Sequence, residues 1–177
     1  MRLSMVSLRN PAGCSLIKSV HKSDSNPLVS VVTPFYNTRE YLPECIESVL
    51  RQTYGNWQYT LVDNCSTDGS SEIAAGYASR FPEKIRVIRT PSFLSQVQNY
   101  NFALSSISPS AKYCKMVQAD DWIFPVCIQS MVDVAEAHPT VGIVSAYELE
   151  GTDVSCDPNG LCEKRNFGLV FVDESSV

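Results

Sequence analysis

From Leu28 onward the apolar and polar positions alternate between two rhythms. Residues 28–33, Leu-Val-Ser-Val-Val-Thr, are a short β-rich run and predict a buried strand, stopped by Pro34. Asn37 can cap the next helix, with Glu40 three residues on completing a capping box. Behind it Tyr41, Leu42, Cys45, Ile46, Val49 and Leu50 fall on one helical face. The same alternation then repeats. A second strand is expected over 57–63, a polar loop over 63–69 and a helix from Ser70 to near Phe81. A short strand at 85–88 follows, then a helix over 94–106 with only a weak cap signal at Ser95 and Gln96. A fourth strand covers 113–118, and Pro125 suits the first turn of a fourth helix ending at Ala137. Residues 141–146 complete the series as a fifth strand. Strands alternating with helices imply an α/β fold, a mostly parallel sheet flanked by helices.

The rhythm divides the chain. Residues 27–150 carry it and form the expected folded domain; residues 1–26 read as a mobile tail, broken by Asn10-Pro11 and Gly13 and lacking the apolar block of a secretory leader. Residues 151–177 are irregular, with a turn signal at Asp157-Pro158-Asn159-Gly160 and one candidate strand at 167–172.

Composition narrows the classes. With 177 residues, 44% of them apolar and 19% charged, the chain suits one ordinary globular domain. A net charge of -5 argues against a nucleic-acid partner. No run approaches the roughly 18 apolar residues of a transmembrane segment. Arg2, Arg9, Lys18 and Lys22 in the tail leave peripheral contact with an anionic membrane as the remaining membrane role. Seven cysteines, an odd number without any C-x-x-C pair, point to a reducing, cytoplasmic setting rather than a disulfide framework. Cys45, Cys114 and Cys127 are expected to pack as small apolar residues.

The candidate chemistry lies where strands end, because ligands of open α/β sheets bind beyond the carboxyl ends of the strands. Three polar clusters occur there: 33–37, Asp63-Asn64 and Asp120-Asp121. Backbone around Pro34 can pack on a flat base, and Asp63 can accept from the N–H of a pyrimidine. Asp120 and Asp121 can divide a ribose hydroxyl and a hard cation, Mg²⁺ or Mn²⁺, between them. Taken singly, each has a plainer explanation. Asp63 suits the start of a turn, Asp68 or Ser70 a helix cap, and an Asp-Asp pair a solvated loop. Trp122 suits either stacking on a sugar face or packing at a loop-to-helix junction.

These segments resemble family 2 glycosyltransferases, which have the GT-A fold. The resemblance is carried by Val29-Ser30-Val31-Val32-Thr33-Pro34-Phe35-Tyr36-Asn37, by 46–54, by 61–70, by Gln98-Asn99-Tyr100-Asn101-Phe102-Ala103-Leu104 and by Ala119-Asp120-Asp121. It covers residues 27–151. It implies transfer of a sugar from a nucleotide-sugar donor, a UDP-sugar foremost, to an unknown acceptor hydroxyl, with inversion. Thr33 would belong to the donor site, Pro34 and Tyr36 would line the donor's base pocket, Asp63 would meet the base, and Asn101 would lie near the donor. Asp120 would meet the ribose, and Asp121 would hold the Mn²⁺ or Mg²⁺ that bridges the diphosphate in a DxD-type motif. Asn64 departs from the second acid often found there. An inverting transfer also needs a general base. The family's lies in a later segment that finds no match here, and Glu148, Glu150, Asp153, Asp157, Asp173 and Glu174 read as solvated acids. The chain therefore reads as a donor-binding part, truncated or divergent at its end; the alternative to an enzyme is a nucleotide-sugar-binding fragment without turnover.

Other classes find less support. G-x-G-x-x-G and G-x-x-x-x-G-K-[ST] are absent, and no G-x-S-x-G elbow occurs. A nucleotidyltransferase would carry a glycine-rich basic loop where Pro34-Phe35-Tyr36-Asn37 stands.

Overall fold

The computed structural model describes residues 2–5, 26–145 and 147–150. Along the chain these form β1 (Arg2–Met5), β2 (Val29–Phe35), α1 (Leu42–Leu50), β3 (Trp57–Asp63), α2 (Ser70–Arg80) and β4 (Ile85–Arg89). There follow α3 (Gln96–Ser105), β5 (Tyr113–Met116), β6 (Trp122–Ile123), α4 (Cys127–Ala137) and β7 (Tyr147–Glu150).

Strands β2 to β5 make one sheet in the order β4-β3-β2-β5, parallel throughout. A parallel sheet is covered on both faces, so its central strands carry unbroken apolar runs. All seven residues of β2 are buried for that reason. The pleat sorts them. Val29, Val31 and Phe35 join Trp57, Tyr59 and Leu61 in the large core that also takes Cys45, Ile46 and Val49 of α1 and Ile128 of α4. Val32 and Val62 point to the opposite face, where Ala103 and Phe102 of α3 cover them. The expected mostly parallel sheet flanked by helices is thus present.

Pro34 does not stop the first strand as expected; it lies within β2, opposite Val62. The pairing explains why. The Val32 carbonyl accepts from Val117 N and the Phe35 carbonyl from Asn64 N, so alternate residues of β2 address β5 and β3. Pro34 addresses the β5 side, where β5 itself ended at Met116. Its missing N–H therefore costs no ladder bond.

The first helix also starts later than the cap signal suggested. Asn37 has φ +50°, outside helical geometry, and α1 begins at Leu42 behind Tyr41. Pro43 in the first turn fits this start, since that N–H has no helical partner. Tyr41 is consequently exposed rather than on the buried face. Ser95, in contrast, caps α3 with a complete capping box to Gln98. Pro125 precedes α4 instead of entering it, and its carbonyl accepts from Thr53 N and Thr53 Oγ1.

A second sheet, β6-β1-β7, pairs β1 in parallel with β6 and antiparallel with β7. It brings two corrections. Arg2–Met5, inside the expected tail, is a strand. The strand expected at 141–146 is absent from the described part of that run, and Tyr147–Glu150 is a strand instead. An apolar run becomes a strand only where its backbone finds a partner; Ile143 is largely exposed and residues 141–145 join no ladder. The candidate strand at 167–172 lies outside the described residues. Cys45 and Cys127 are buried as expected, but Cys114 is exposed.

Candidate functional site

The end of β3 is tied down by hydrogen bonds. Asp63 is 1% exposed, and a buried carboxylate needs charge or hydrogen-bond partners. It has three. Its Oδ1 accepts from Ser66 N at 2.8 Å, and its Oδ2 accepts from Ser71 Oγ at 2.5 Å and from Arg89 Nη1 at 2.7 Å. Arg89 faces Asp63 in the β3–β4 register and also donates to Ser71 Oγ. The loop beyond is laced to the segment after β2. Asn37 N donates to Ser66 Oγ and Asn37 Oδ1 accepts from Thr67 N; Thr38 N donates to Ser70 Oγ. Arg39 N donates to Asp68 Oδ2. Burial raises the pKa of the Asp68 carboxyl, but hydrogen bonds from Ser70 Oγ, Ser70 N and Arg39 N together outweigh it and lower the pKa. Gly69, at φ +97°, supplies the left-handed turn before α2.

The end of β5 is held from below. Thr33 is 0% exposed; its Oγ1 donates to the Val117 carbonyl at 2.8 Å and meets Tyr59 Oη at 2.8 Å. Cys45 Sγ donates to the Gln118 carbonyl at 3.3 Å. Burial pushes the Cys45 thiol up to about 12; hydrogen bonds from Tyr59 and Thr33 oppose this, and the charges of Asp121 and Asp120 add to it. From α3, Tyr100 Oη donates to Gln118 Oε1 at 3.1 Å. Asp121 N donates to the Gln118 carbonyl, closing a turn that leaves Asp120 exposed and Asp121 half-buried. Trp122 packs edge-to-face on Phe124, with ring centroids 4.9 Å apart, which favours its packing role.

The carboxyl edge of the sheet thus carries Pro34, Tyr36, Asp63, Asp120 and Asp121. Strand β2 separates β3 from β5. The two acidic ends therefore lie two strand spacings apart, about 10 Å. Tyr36 is 44% exposed and meets Phe93 in a T-shaped contact, centroids 4.8 Å apart. Thr33 lies beneath the edge with its hydroxyl bonded to Val117 and Tyr59, so it supports the β5 loop. Asn101 is exposed on the outer side of α3, opposite Asn99 and Ala103, which face the sheet. Tyr100 is the α3 side chain that reaches the Asp120 loop. Arg89, Ser71, Phe93 and Gln118 escaped the sequence reading. For Arg89 the missing signal is register, since its place opposite Asp63 exists only once β4 has paired.

Asp120 and Asp121 offer hard oxygen donors suited to Mg²⁺ or Mn²⁺. No group of three His, Cys, Asp or Glu side chains able to hold a metal occurs among the described residues. That composition fits a cation held by one or two carboxylates and completed by phosphate oxygens and water, not an all-protein cage. A recess of about 450 Å³ nearby is lined by Asn37, Thr38, Arg39, Glu40, Tyr41 and Asp68.

Comparison with known proteins gives this arrangement a family. Residues 30–166 match Glycosyl transferase family 2. The chain belongs to that family. It is 35% identical to the Bacillus subtilis protein EpsE over 115 residues, 65% of this chain and 41% of EpsE. It is 34% identical to the glycosyltransferase GlyG of Streptococcus pneumoniae over 127 residues, 71% of this chain and 41% of GlyG. The chain therefore spans about 41% of the length of each of these relatives. Among solved structures, it resembles the mannosyltransferase PcManGT of Pyrobaculum calidifontis, in complex with GDP-Man and Mn²⁺. The TM-score is 0.60 and the identity 24%, over 67% of this chain and 35% of that one. S. aureus TarS 1-349 in complex with UDP gives a TM-score of 0.55 and 24% identity, over 63% of this chain and 32% of that one. The fold of this family 2 chain is thus the GT-A fold. No helix among its described residues is long and apolar enough to cross a membrane.

Proposed function

We propose that this family 2 chain binds the nucleotide-sugar donor of a glycosyl transfer, with the nucleoside diphosphate lying along the carboxyl edge from β3 to β5. The domain that does so spans residues 27–150. The observation that carries the reading is the convergence of Asp63 and Asp120-Asp121 on one edge from strands more than fifty residues apart. In this reading the base lies by Pro34 and Tyr36. It offers its N–H to Asp63 Oδ1, which among the described residues takes one hydrogen bond, from Ser66 N. Asp120 receives a ribose hydroxyl. Asp121 holds Mn²⁺ or Mg²⁺ against the diphosphate. When bound, such a cation neutralises charge developing on a departing diphosphate. The donors bound by TarS and PcManGT, UDP-GlcNAc and GDP-Man, support a nucleotide-sugar ligand, UDP-linked or GDP-linked. The chain's own groups orient the donor, which is the entropic part of the rate gain. An inverting course would require a general base beyond the residues assigned here.

Isothermal titration calorimetry with UDP, with Mn²⁺ and with EDTA, tests the donor site. Binding is expected with the metal and is expected to weaken strongly without it. A folded sample that binds neither UDP nor GDP in Mn²⁺ would sink the reading. UDP release from UDP-sugars, alone and with acceptors, separates transferase from donor-binding module.

A further inference from the structure

We propose that Phe93 is a second aromatic wall of the donor's base site and that Asn64 is the positioning residue that holds it there. This rests on the donor reading above. Phe93 is 61% exposed, unusual for a large aromatic in a well-packed domain. It is not an isolated surface ring. It comes from the segment between β4 and α3 and meets Tyr36, from the end of β2, at 4.8 Å and 61°. An edge-to-face pair leaves ring surface uncovered, and both rings stay open to solvent at the carboxyl edge where the base is placed.

The segment carrying Phe93 is fastened to the end of β3 through the side chains of Asn64 and Thr90. Asn64, 3% exposed, accepts from Leu94 N at 2.8 Å through Oδ1 and donates to the Leu94 carbonyl at 2.8 Å through Nδ2. Thr90 adds a bond from its backbone N to the Asp63 carbonyl at 2.9 Å. The Asn64 amide both accepts from the Leu94 N–H and donates to the Leu94 carbonyl, which an ionised carboxylate cannot do. A carboxylate at 64 would face the Leu94 carbonyl with no proton to give. The amide that departs from the family's frequent acid pair is thus the group this loop requires. Asp63 and Asn64 then divide adjacent tasks: Asp63 meets the edge of the base, and Asn64 sets the ring that meets its face. A ring already held in place loses little freedom when a base stacks on it.

The test uses the full chain, with UDP and inorganic pyrophosphate as separate probes in Mn²⁺, followed by calorimetry. Phe93→Ala is expected to lower UDP affinity about tenfold, the scale of losing one aromatic stack on a base. It should leave pyrophosphate affinity at the wild-type value, and Phe93→Trp should restore UDP binding. Asn64→Asp is expected to lower UDP affinity with the same selectivity. Wild-type UDP affinity in Phe93→Ala, or equal losses for UDP and pyrophosphate, overturns the aromatic wall. Wild-type UDP affinity in Asn64→Asp overturns the positioning role. If the wild-type protein binds UDP and Phe93→Ala does so equally well, only this inference falls. If the wild-type protein binds no nucleotide, the donor reading falls and this inference with it. Phe93 is exposed, so its variants are expected to melt like wild type, which separates lost binding from lost folding.

Discussion

At the end of β3, Asp63 is buried and takes three hydrogen bonds; at the end of β5, Asp120 is exposed and Asp121 half-buried. Both are acids at the carboxyl edge of one sheet, yet their surroundings differ. The β3 loop is bound to the segment after β2, to α2 and to β4 through Ser66, Ser70, Ser71 and Arg89. The β5 loop is gripped through its backbone, by Thr33 and Cys45, which leaves the carboxylates directed by the turn above. A rigid end suits recognition of a fixed shape such as a base. An end fixed by its backbone, with two adjacent carboxylates above the turn, suits a cation that shares its coordination with a phosphate and water.

The contrast breaks most readily at Asp121. Asp121→Ala is expected to weaken Mn²⁺-dependent UDP binding by about two orders of magnitude or more, since it removes a proposed metal ligand where even outer-shell changes cost about 10–100-fold. An unaltered UDP affinity by calorimetry would remove the metal from this end of the site.

Asp63→Ala probes the opposite end and should act on folding as well as on binding. It removes the acceptor of Ser71 Oγ and Ser66 N and the ion-pair partner of Arg89, a loss of about 2–3 kcal/mol or roughly 5–10 °C in melting temperature. Arg89 is half-exposed, which keeps the figure below that of a fully buried ion pair. A thermal melt at the wild-type temperature would show that the network contributes nothing to stability.

Thr33→Val sharpens the distinction between lining the site and supporting it. Removing the hydroxyl strips partners from Val117 O and Tyr59 Oη, at about 1–2 kcal/mol. UDP affinity should stay within about twofold of wild type. A tenfold loss of UDP affinity with no change in melting would return Thr33 to the donor pocket.

The smallest effect lies under the β5 loop. With its pKa raised to about 12, mainly by burial, Cys45 should resist iodoacetamide at pH 8 while exposed Cys114 is labelled, as read by peptide mass mapping. The sign of the linked stability follows. Above pH 9 the unfolded thiol loses the proton that folded Cys45 keeps, so stability falls as pH rises. Rapid labelling of Cys45 in the folded protein would show the loop to be open.

Much of the edge was legible in the residues because local rules write it. The apolar runs of β2 and β3 and the acids at the ends of β3 and β5 are contiguous in sequence. Less legible were features in which a residue's neighbour belongs to another strand. Pro34 looked like a strand stop, but the side to which its missing N–H points depends on where β5 ends. Asn37 looked like a cap, and its positive φ came from bonds to Ser66 and Thr67. Residues 141–146 looked like a strand, but the described part, 141–145, joined no ladder.

The sequence by itself determined the periods: two along the strands, near 3.6 along the helices, and polar residues at the carboxyl ends where a ligand can enter. Those depend on interactions within a few residues. Only the tertiary structure decided that Thr33 serves as a prop, that Asn101 faces outward, and that Arg89 and Asn64 hold Asp63 and Leu94. Each of those assignments depends on parallel register across β-α-β crossovers, and register is settled by the packing of a whole sheet face rather than by any local pattern.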